Sequence, residues 1–244
     1  MTEPLKVFIG YDEQEDPAYR VCEASLYRHA SVPVEVTPLV VEDLNALGVY
    51  TRPFWRDHAG QRYDCIDGRP FSTDFSFTRF LVPALMEYTG RALYIDSDML
   101  FRGDVAELFA LCDASKAVWC VQHDYQPPPS LKMRSRVRDS LYRRKGWSAV
   151  AVFECGHSST QALTQWAVNH KYGSYLHSMD WAGDEIGALP EEWHWLQGHS
   201  SVAIEEPKLV HFTSGTPDVR GYDAVPYADE WLEYYAALEV EAAD

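Results

Sequence analysis

The chain has 244 residues, 46% apolar and 14% aromatic, with 37 acidic against 21 basic side chains and a formal net charge of −16. This length and apolar fraction suit a globular α/β domain, and no run approaches the roughly 18 apolar residues of a membrane helix. So acidic a surface repels phosphate backbones and anionic lipid, which argues against direct nucleic-acid binding.

Leu5 to Gly10 is a first strand. Asp16-Pro17 opens a helix, with Asp as N-cap and Pro in the first turn, running to about His29 on the stripe Ala18, Val21, Cys22, Ser25 and Leu26. Pro33 to Val41 is a second strand, which completes a βαβ start. Residues 42–72 have no clear period and read as a long loop with small elements. Thr73 to Tyr88 predicts an amphipathic helix with Phe77, Phe80, Leu81, Ala84, Leu85 and Tyr88 inward, ended by Gly90. A strand from Arg91 to Ile95 follows at once. Gly103-Asp104 caps a short helix through Leu111, and Lys116 to Gln122 is another strand. Residues 123–146 leave the sheet, carrying Pro127-Pro128-Pro129 and seven basic residues from Lys132 to Lys145; excursions of this length are usually functional or disordered. Trp147 to Phe153 predicts a strand, Ser159 to His170 a helix, Lys208 to Thr213 a short late strand, and Tyr227 to Val240 a helical tail. No repeat or low-complexity tract divides the chain, so one domain over 1–244 is the economical reading. The cysteines Cys22, Cys65, Cys112, Cys120 and Cys155 are odd in number and form no Cys-x-x-Cys pair. With no basic and apolar leader after Met1, they predict reduced thiols in a cytoplasmic protein.

The most informative stretch is Arg91-Ala92-Leu93-Tyr94-Ile95 running into Asp96-Ser97-Asp98. A buried strand delivers its last residues to the carboxyl edge of a sheet, where ligands bind. Two clustered carboxylates repel unless a cation neutralises them, and hard divalent ions bridge such carboxylates to substrate phosphates. The alternative for the triplet alone is an ordinary surface turn.

The surrounding residues resemble the family 8 glycosyltransferases, the glycogenin and lipopolysaccharide galactosyltransferase group, and most closely its compact bacterial and phage members. The matching block runs from Phe75-Ser76-Phe77-Thr78-Arg79 through Asp96-Ser97-Asp98 to Gly103-Asp104-Val105-Ala106-Glu107-Leu108. Phe8-Ile9-Gly10-Tyr11-Asp12, Leu189-Pro190-Glu191-Glu192-Trp193 and Val210-His211-Phe212-Thr213-Ser214-Gly215 follow the family's order.

The resemblance implies an α/β GT-A fold, a Rossmann-like mixed and mainly parallel sheet flanked by helices. It also implies a nucleotide-diphosphate sugar as donor, and retention at the anomeric carbon. The donor is expected to be a uridine diphosphate hexose; the acceptor is open, whether glycan, lipid-linked glycan or another group. Asp96, Asp98 and His211 would hold Mn²⁺, with Mg²⁺ as the alternative, because imidazole favours Mn²⁺. Ile9, Gly10, Tyr11, Asp12, Arg79, Ser97 and Gly215 would contact the donor, Tyr11 and Asp12 at the base and Gly215 through its backbone at a phosphate. Asp184 is the candidate carboxylate near the anomeric carbon, with Asp180 and Glu185 as rivals. Trp181, Trp193 and Trp195 would stack on sugars or pack in the core.

Three departures stand out. Thr216-Pro217 replaces the family's phosphate-binding Lys, leaving Arg220 or the basic segment to substitute; Trp147-Ser148-Ala149 replaces Asn-x-Gly; and Asp184-Glu185 replaces Asp-Gln. They keep open a binding module of the same fold without turnover. A haloacid-dehalogenase-like phosphatase is a more distant alternative, since its Asp-x-Asp ends the first strand.

Overall fold

The computed structural model describes residues 3–124, 140, 142–200 and 204–241. Strand β1 (Leu5–Gly10) leads to helix α1 (Asp16–His29), and β2 (Val34–Leu39) returns parallel to β1. The expected N-cap moves: Asp12 caps a 3₁₀ turn by accepting from Gln14 N at 3.1 Å, and Asp16 becomes the first residue of α1. The stretch read as a loop contains α2 (Val41–Ala46) and a small antiparallel sheet of β3 (Phe54–Arg56), β4 (Arg62–Asp64) and β5 (Pro70–Phe71).

The helix expected over Thr73 to Tyr88 is broken into two 3₁₀ turns, 74–76 and 78–81, and a short α3 (Val82–Leu85). Pro83 has no N–H to return to the Arg79 carbonyl, so a continuous helical ladder cannot form there. Phe77, Phe80 and Leu81 still reach the core. Next come β6 (Arg91–Ile95), β7 (Met99–Phe101), α4 (Val105–Ala110) and β8 (Val118–Cys120). Asp104 caps α4 by accepting from Ala106 N at 3.0 Å.

The strand expected from Trp147 begins later, as β9 (Val150–Glu154), because Gly146 at φ 84° turns the chain into a 3₁₀ turn first. The helix expected from Ser159 also begins later, as α5 (Gln165–His170), where Thr164 supplies the cap. The chain ends through α6 (Gly173–His177), β10 (Ile186–Ala188), β11 (Trp195–Leu196), β12 (Leu209–His211) and α7 (Ala228–Glu241).

The main sheet has the order β10-β8-β9-β6-β1-β2. Only β9 runs against its neighbours, so the other five strands bring their carboxyl ends to one edge. Alternate residues feed two cores. Phe8, Ala92, Tyr94, Ala151 and Phe153 face one side; Val7, Ile9, Leu93, Ile95, Val150 and Val152 face the other. Each large side chain so buried contributes about 1.5–3 kcal/mol. A second sheet, β11-β12-β7, packs with α1 and α7 around Trp195, Val210, Phe212 and Trp231.

Gly10, the last residue of β1, fixes how closely the elements meet beside the triplet. A Cβ there would lie 2.6 Å from Phe75 Cγ and 2.6 Å from the Tyr94 hydroxyl. Overpacking of this kind costs about 1–3 kcal/mol. Gly10→Ala is therefore expected to lower stability by that amount in urea unfolding, and an unchanged midpoint would refute the close approach.

Candidate functional site

At Ile95 the chain passes from the main sheet to the second one, and Asp96, Ser97 and Asp98 occupy the crossing. β7 then pairs antiparallel with β12, with Met99 opposite His211. This register sets His211 beside Asp98, and Phe212 N donates to the Asp98 carbonyl at 2.9 Å. One ligand atom from each of Asp96, Asp98 and His211 lies within 4.8 Å of the other two.

The cluster fits a divalent cation. His211 Nε2 is buried and faces Asp98 Oδ1 at 3.1 Å, yet it makes no hydrogen bond. Ser97 Oγ is buried without a partner as well. An unsatisfied buried polar atom costs roughly 1–3 kcal/mol, which coordination of an ion by His211 would recover. Two carboxylates and one imidazole match the oxygen and nitrogen preferences of Mn²⁺ and Mg²⁺ sites.

Arg79 is drawn into this cluster. Its Nη2 lies 2.9 Å from Asp96 Oδ1, its Nη1 donates to the Ser148 carbonyl at 3.0 Å, and its guanidinium lies 5.0 Å from the Tyr94 ring centre. The Tyr94 hydroxyl donates to the same Asp96 oxygen at 2.7 Å. Burial raises the Asp96 carboxyl above the usual carboxylate range; Arg79 opposes that rise and Asp98 adds to it. Burial also drives the Tyr94 phenol well above its ordinary value, which keeps it a hydrogen-bond donor.

A cleft opens over the three residues. Hydroxyls of Thr73, Ser76, Ser148 and Thr213 line it, together with Arg144 and Lys145. Arg144, held at φ 62°, donates from Nη1 to the Ser178 carbonyl at 2.8 Å. Positive charge and hydroxyl donors above a paired-acid floor can receive a cation and a phosphate-rich ligand together.

The structure brings Asp96, Ser97, Asp98, His211 and Arg79 together. The other expected residues fall elsewhere. Asp12 is 3% exposed, and its Oδ2 accepts from Arg62 Nη2 at 3.1 Å and Asp74 N at 3.0 Å. It therefore orders the turn after β1 and has no free edge for a base. The Tyr11 hydroxyl donates to Asp16 Oδ1 at 3.1 Å, and its ring meets Tyr19 edge-on at 5.3 Å. Neither Tyr11 nor Ile9 nor Gly10 lines the cleft. The Gly215 N–H is committed to the Phe212 carbonyl at 3.1 Å, and Tyr222 covers its α-carbon, so it offers no phosphate approach.

Asp184 and Glu185 precede β10, at its amino end, and Glu185 pairs with Lys116 at 3.2 Å. Because β10 runs parallel to β6, they sit at the sheet edge opposite Asp96. Asp180 is exposed and pairs with Arg143, next to the cleft-lining Arg144. Trp181, Trp193 and Trp195 are all buried, which settles them as core residues. Arg220 is exposed and outside the cleft. Lys132, Arg134, Arg136 and Arg138 lie outside the described residues.

Arg144 and Lys145, the end of the basic segment, line the cleft as expected of a substitute for the missing Lys, whereas Tyr94, Ser148 and two histidines had no expected role. Tyr94 was accessible from the sequence, since residues two apart on a strand share a face. His194 was not. Its Nε2 lies 2.8 Å from His211 Nδ1, and its Nδ1 lies 3.1 Å from His123 Nε2.

The fold is the GT-A fold, the one found in several solved glycosyltransferases. The structure aligns with WbbM, a bifunctional glycosyltransferase, at a TM-score of 0.64 and 15% identity over 97% of this chain and 50% of WbbM. It aligns with the glycosyltransferase GlyE of Streptococcus pneumoniae at 0.60 and 17%, over 96% and 60%. The galactosyltransferase LgtC, solved with donor and acceptor sugar analogues, aligns at 0.53 and 10% over 96% of both chains. The chain thus spans about half of WbbM and 60% of GlyE. No protein-family model matches it. Protein CDI of Arabidopsis thaliana is 40% identical over 234 residues, 94% of this chain and 85% of that protein. The chain belongs to the same family as Protein CDI, a plant protein, where a compact bacterial or phage relative was expected.

The two histidines carry a pH signature. Burial pushes His123 down to about 4, with Glu191 opposing, and holds His194 well below its ordinary 6.5. Between those values the unfolded chain binds more protons, so the stability these residues confer is full above about 6.5 and falls as pH drops. The raised carboxyls of Asp64, Asp74 and Asp96 act in the opposite sense. The comparison with a variant isolates the histidine contribution. Urea unfolding of His123→Gln is expected to lose about 1 kcal/mol less than the parent between pH 7.5 and 5, discounted for partial exposure. Equal losses would contradict the assignment.

Proposed function

We propose that the protein is a metal-dependent, retaining glycosyltransferase, of family 8 type, over the whole chain. It would transfer a hexose from a nucleotide-diphosphate sugar, a uridine diphosphate sugar in our reading, to an acceptor. The observation that carries this is the convergence of Asp96, Asp98 and the orphaned His211 Nε2 at the strand edge of a GT-A fold. Those three residues would hold Mn²⁺ or Mg²⁺, which supplies Lewis-acid stabilisation of the departing diphosphate.

The chain's own residues supply the rest. Arg79 and the Tyr94 hydroxyl stabilise Asp96 as a carboxylate and fix its Oδ1. Arg144 and Lys145 bring positive charge to the cleft, the role assigned elsewhere in the family to a Lys after the late His element. The hydroxyls of Thr73, Ser76, Ser148 and Thr213 suit phosphate and sugar oxygens. Among the described residues, Asp96 and Asp98 are the sole carboxylates lining the cleft. This favours same-face attack over a covalent intermediate on a protein carboxylate. No helix among the described residues is long and apolar enough to cross a membrane, and all five cysteines are free; both accord with work in the cytoplasm.

A second reading is a sugar-nucleotide or glycan-binding module without turnover, favoured by the closed surface at Gly215. The phosphatase alternative has less support, because Asp96 follows the third strand of the main sheet in chain order. The test is Mn²⁺-dependent release of nucleoside diphosphate from a panel of nucleotide sugars. Release by the parent is expected, with a fall on the order of 100-fold or more in Asp98→Asn and near-parental turnover in Asp184→Asn. Tight donor binding with no release from any donor would establish the module instead.

A further inference from the structure

The three imidazoles His211, His194 and His123 form a continuous line. His211 Nδ1 and His194 Nε2 are 2.8 Å apart with their ring planes 15° from parallel, a distance at which the two nitrogens share one hydrogen. His194 Nδ1 and His123 Nε2 are 3.1 Å apart with the rings at 71°. His194 has no exposed surface, whereas His123 borders a second cleft with Glu191, His199 and Ser200.

The local fold explains the placement. His194 ends the 3₁₀ turn 191–193, and β11 begins at the next residue. β11 runs parallel to β12 with Leu196 opposite His211. His123 follows β8 by a short step, and its carbonyl accepts from Trp147 Nε1 at 2.9 Å.

We infer that His194 is a positioning residue for the metal site, acting through the tautomer of His211. A neutral imidazole has one N–H and one lone pair, and the hydrogen bond of one nitrogen decides what the other offers. His211 must present its lone pair at Nε2, the atom facing Asp98. Its hydrogen must then sit on Nδ1, where His194 Nε2 accepts it. His194 in turn carries its hydrogen on Nδ1 and donates to His123 Nε2, and His123 closes the line as the Nδ1–H form. Each ring thus fixes the hydrogen of the next. His211 Nε2, which faces Asp98 Oδ1 at 3.1 Å without a hydrogen bond, is the end of this line at the carboxylates.

This inference rests on the proposed role of His211 as a metal ligand, and the experiment separates the two. Mn²⁺ affinity is measured by titration calorimetry, without donor or turnover, on the parent, Asp98→Asn, His194→Phe and His194→Gln. Outer residues that orient a ligating histidine change metal affinity by about 10- to 100-fold. His194→Phe keeps an aromatic ring but removes the acceptor and is expected to weaken Mn²⁺ binding within that range. His194→Gln restores an acceptor oxygen and is expected to recover most of the affinity. Long-range ¹H–¹⁵N spectra of the metal-free parent are expected to show the Nδ1–H form of His211, and the Nε2–H form there would overturn the inference. Parental Mn²⁺ affinity in His194→Phe, with Asp98→Asn impaired, would overturn it while leaving the metal site standing. Equal weakening in His194→Phe and His194→Gln would also overturn it, since rescue by an acceptor is what distinguishes orientation from packing. Parental affinity in Asp98→Asn would instead overturn the metal site itself.

Discussion

Two carboxylates held two residues apart, at the end of a buried strand, must meet their countercharge within the protein or from outside it. With ligand atoms within 4.8 Å, their repulsion is on the order of 3 kcal/mol at an effective dielectric of about 20. The protein's own side chains answer part of this demand. Arg79 and Tyr94 both converge on one oxygen of Asp96, while Asp98 faces a histidine nitrogen that lacks a hydrogen bond. The two acids meet different partners: Asp96 a guanidinium and a phenol, Asp98 the His211 imidazole.

The same logic places the rest of the site. Arg79 reaches Asp96 because the Pro83 break leaves its segment as tight 3₁₀ turns lying on the sheet edge. His211 reaches Asp98 because β7 and β12 pair in one register, and a slip of one residue would turn the imidazole to the opposite face. Elsewhere acids and bases close on one another. Arg62 joins Asp12 and Asp74 at 3.1 and 2.8 Å, and Arg52 grips Asp64 at 2.7 Å, so the small sheet is tied down beside the cleft. Such pairs are costly to break because the surviving charge is left buried.

Much of the fold was legible because its signals are local. The strand alternation of β1 and β6, the Asp104 cap and the apolar run into Asp96 need only neighbours in sequence to be read. The misplacements share a different cause. Asp12 looks like a free carboxylate after a strand, but its partner Arg62 stands fifty residues away. Gly215 looks open, but Tyr222 folds over it. Asp184 precedes a recognisable Leu-Pro-x-x-Trp element, yet the strand between them spans the sheet, and sequence order does not say which end of a strand faces the ligand edge. His194 escaped notice because its meaning depends on two other histidines, one 71 residues before it and one 17 after. Pro83 was the exception: its effect on the predicted helix is local and was open to inspection.

The crossing at residues 96–98 also has a mechanical side. Asp96 terminates a strand of one layer, and His211 terminates a strand of the other. An ion gripped by both would stitch the layers together at their seam. Occupancy would then be felt as stiffness along β12 and the turn beyond it, where Thr213 borders the cleft.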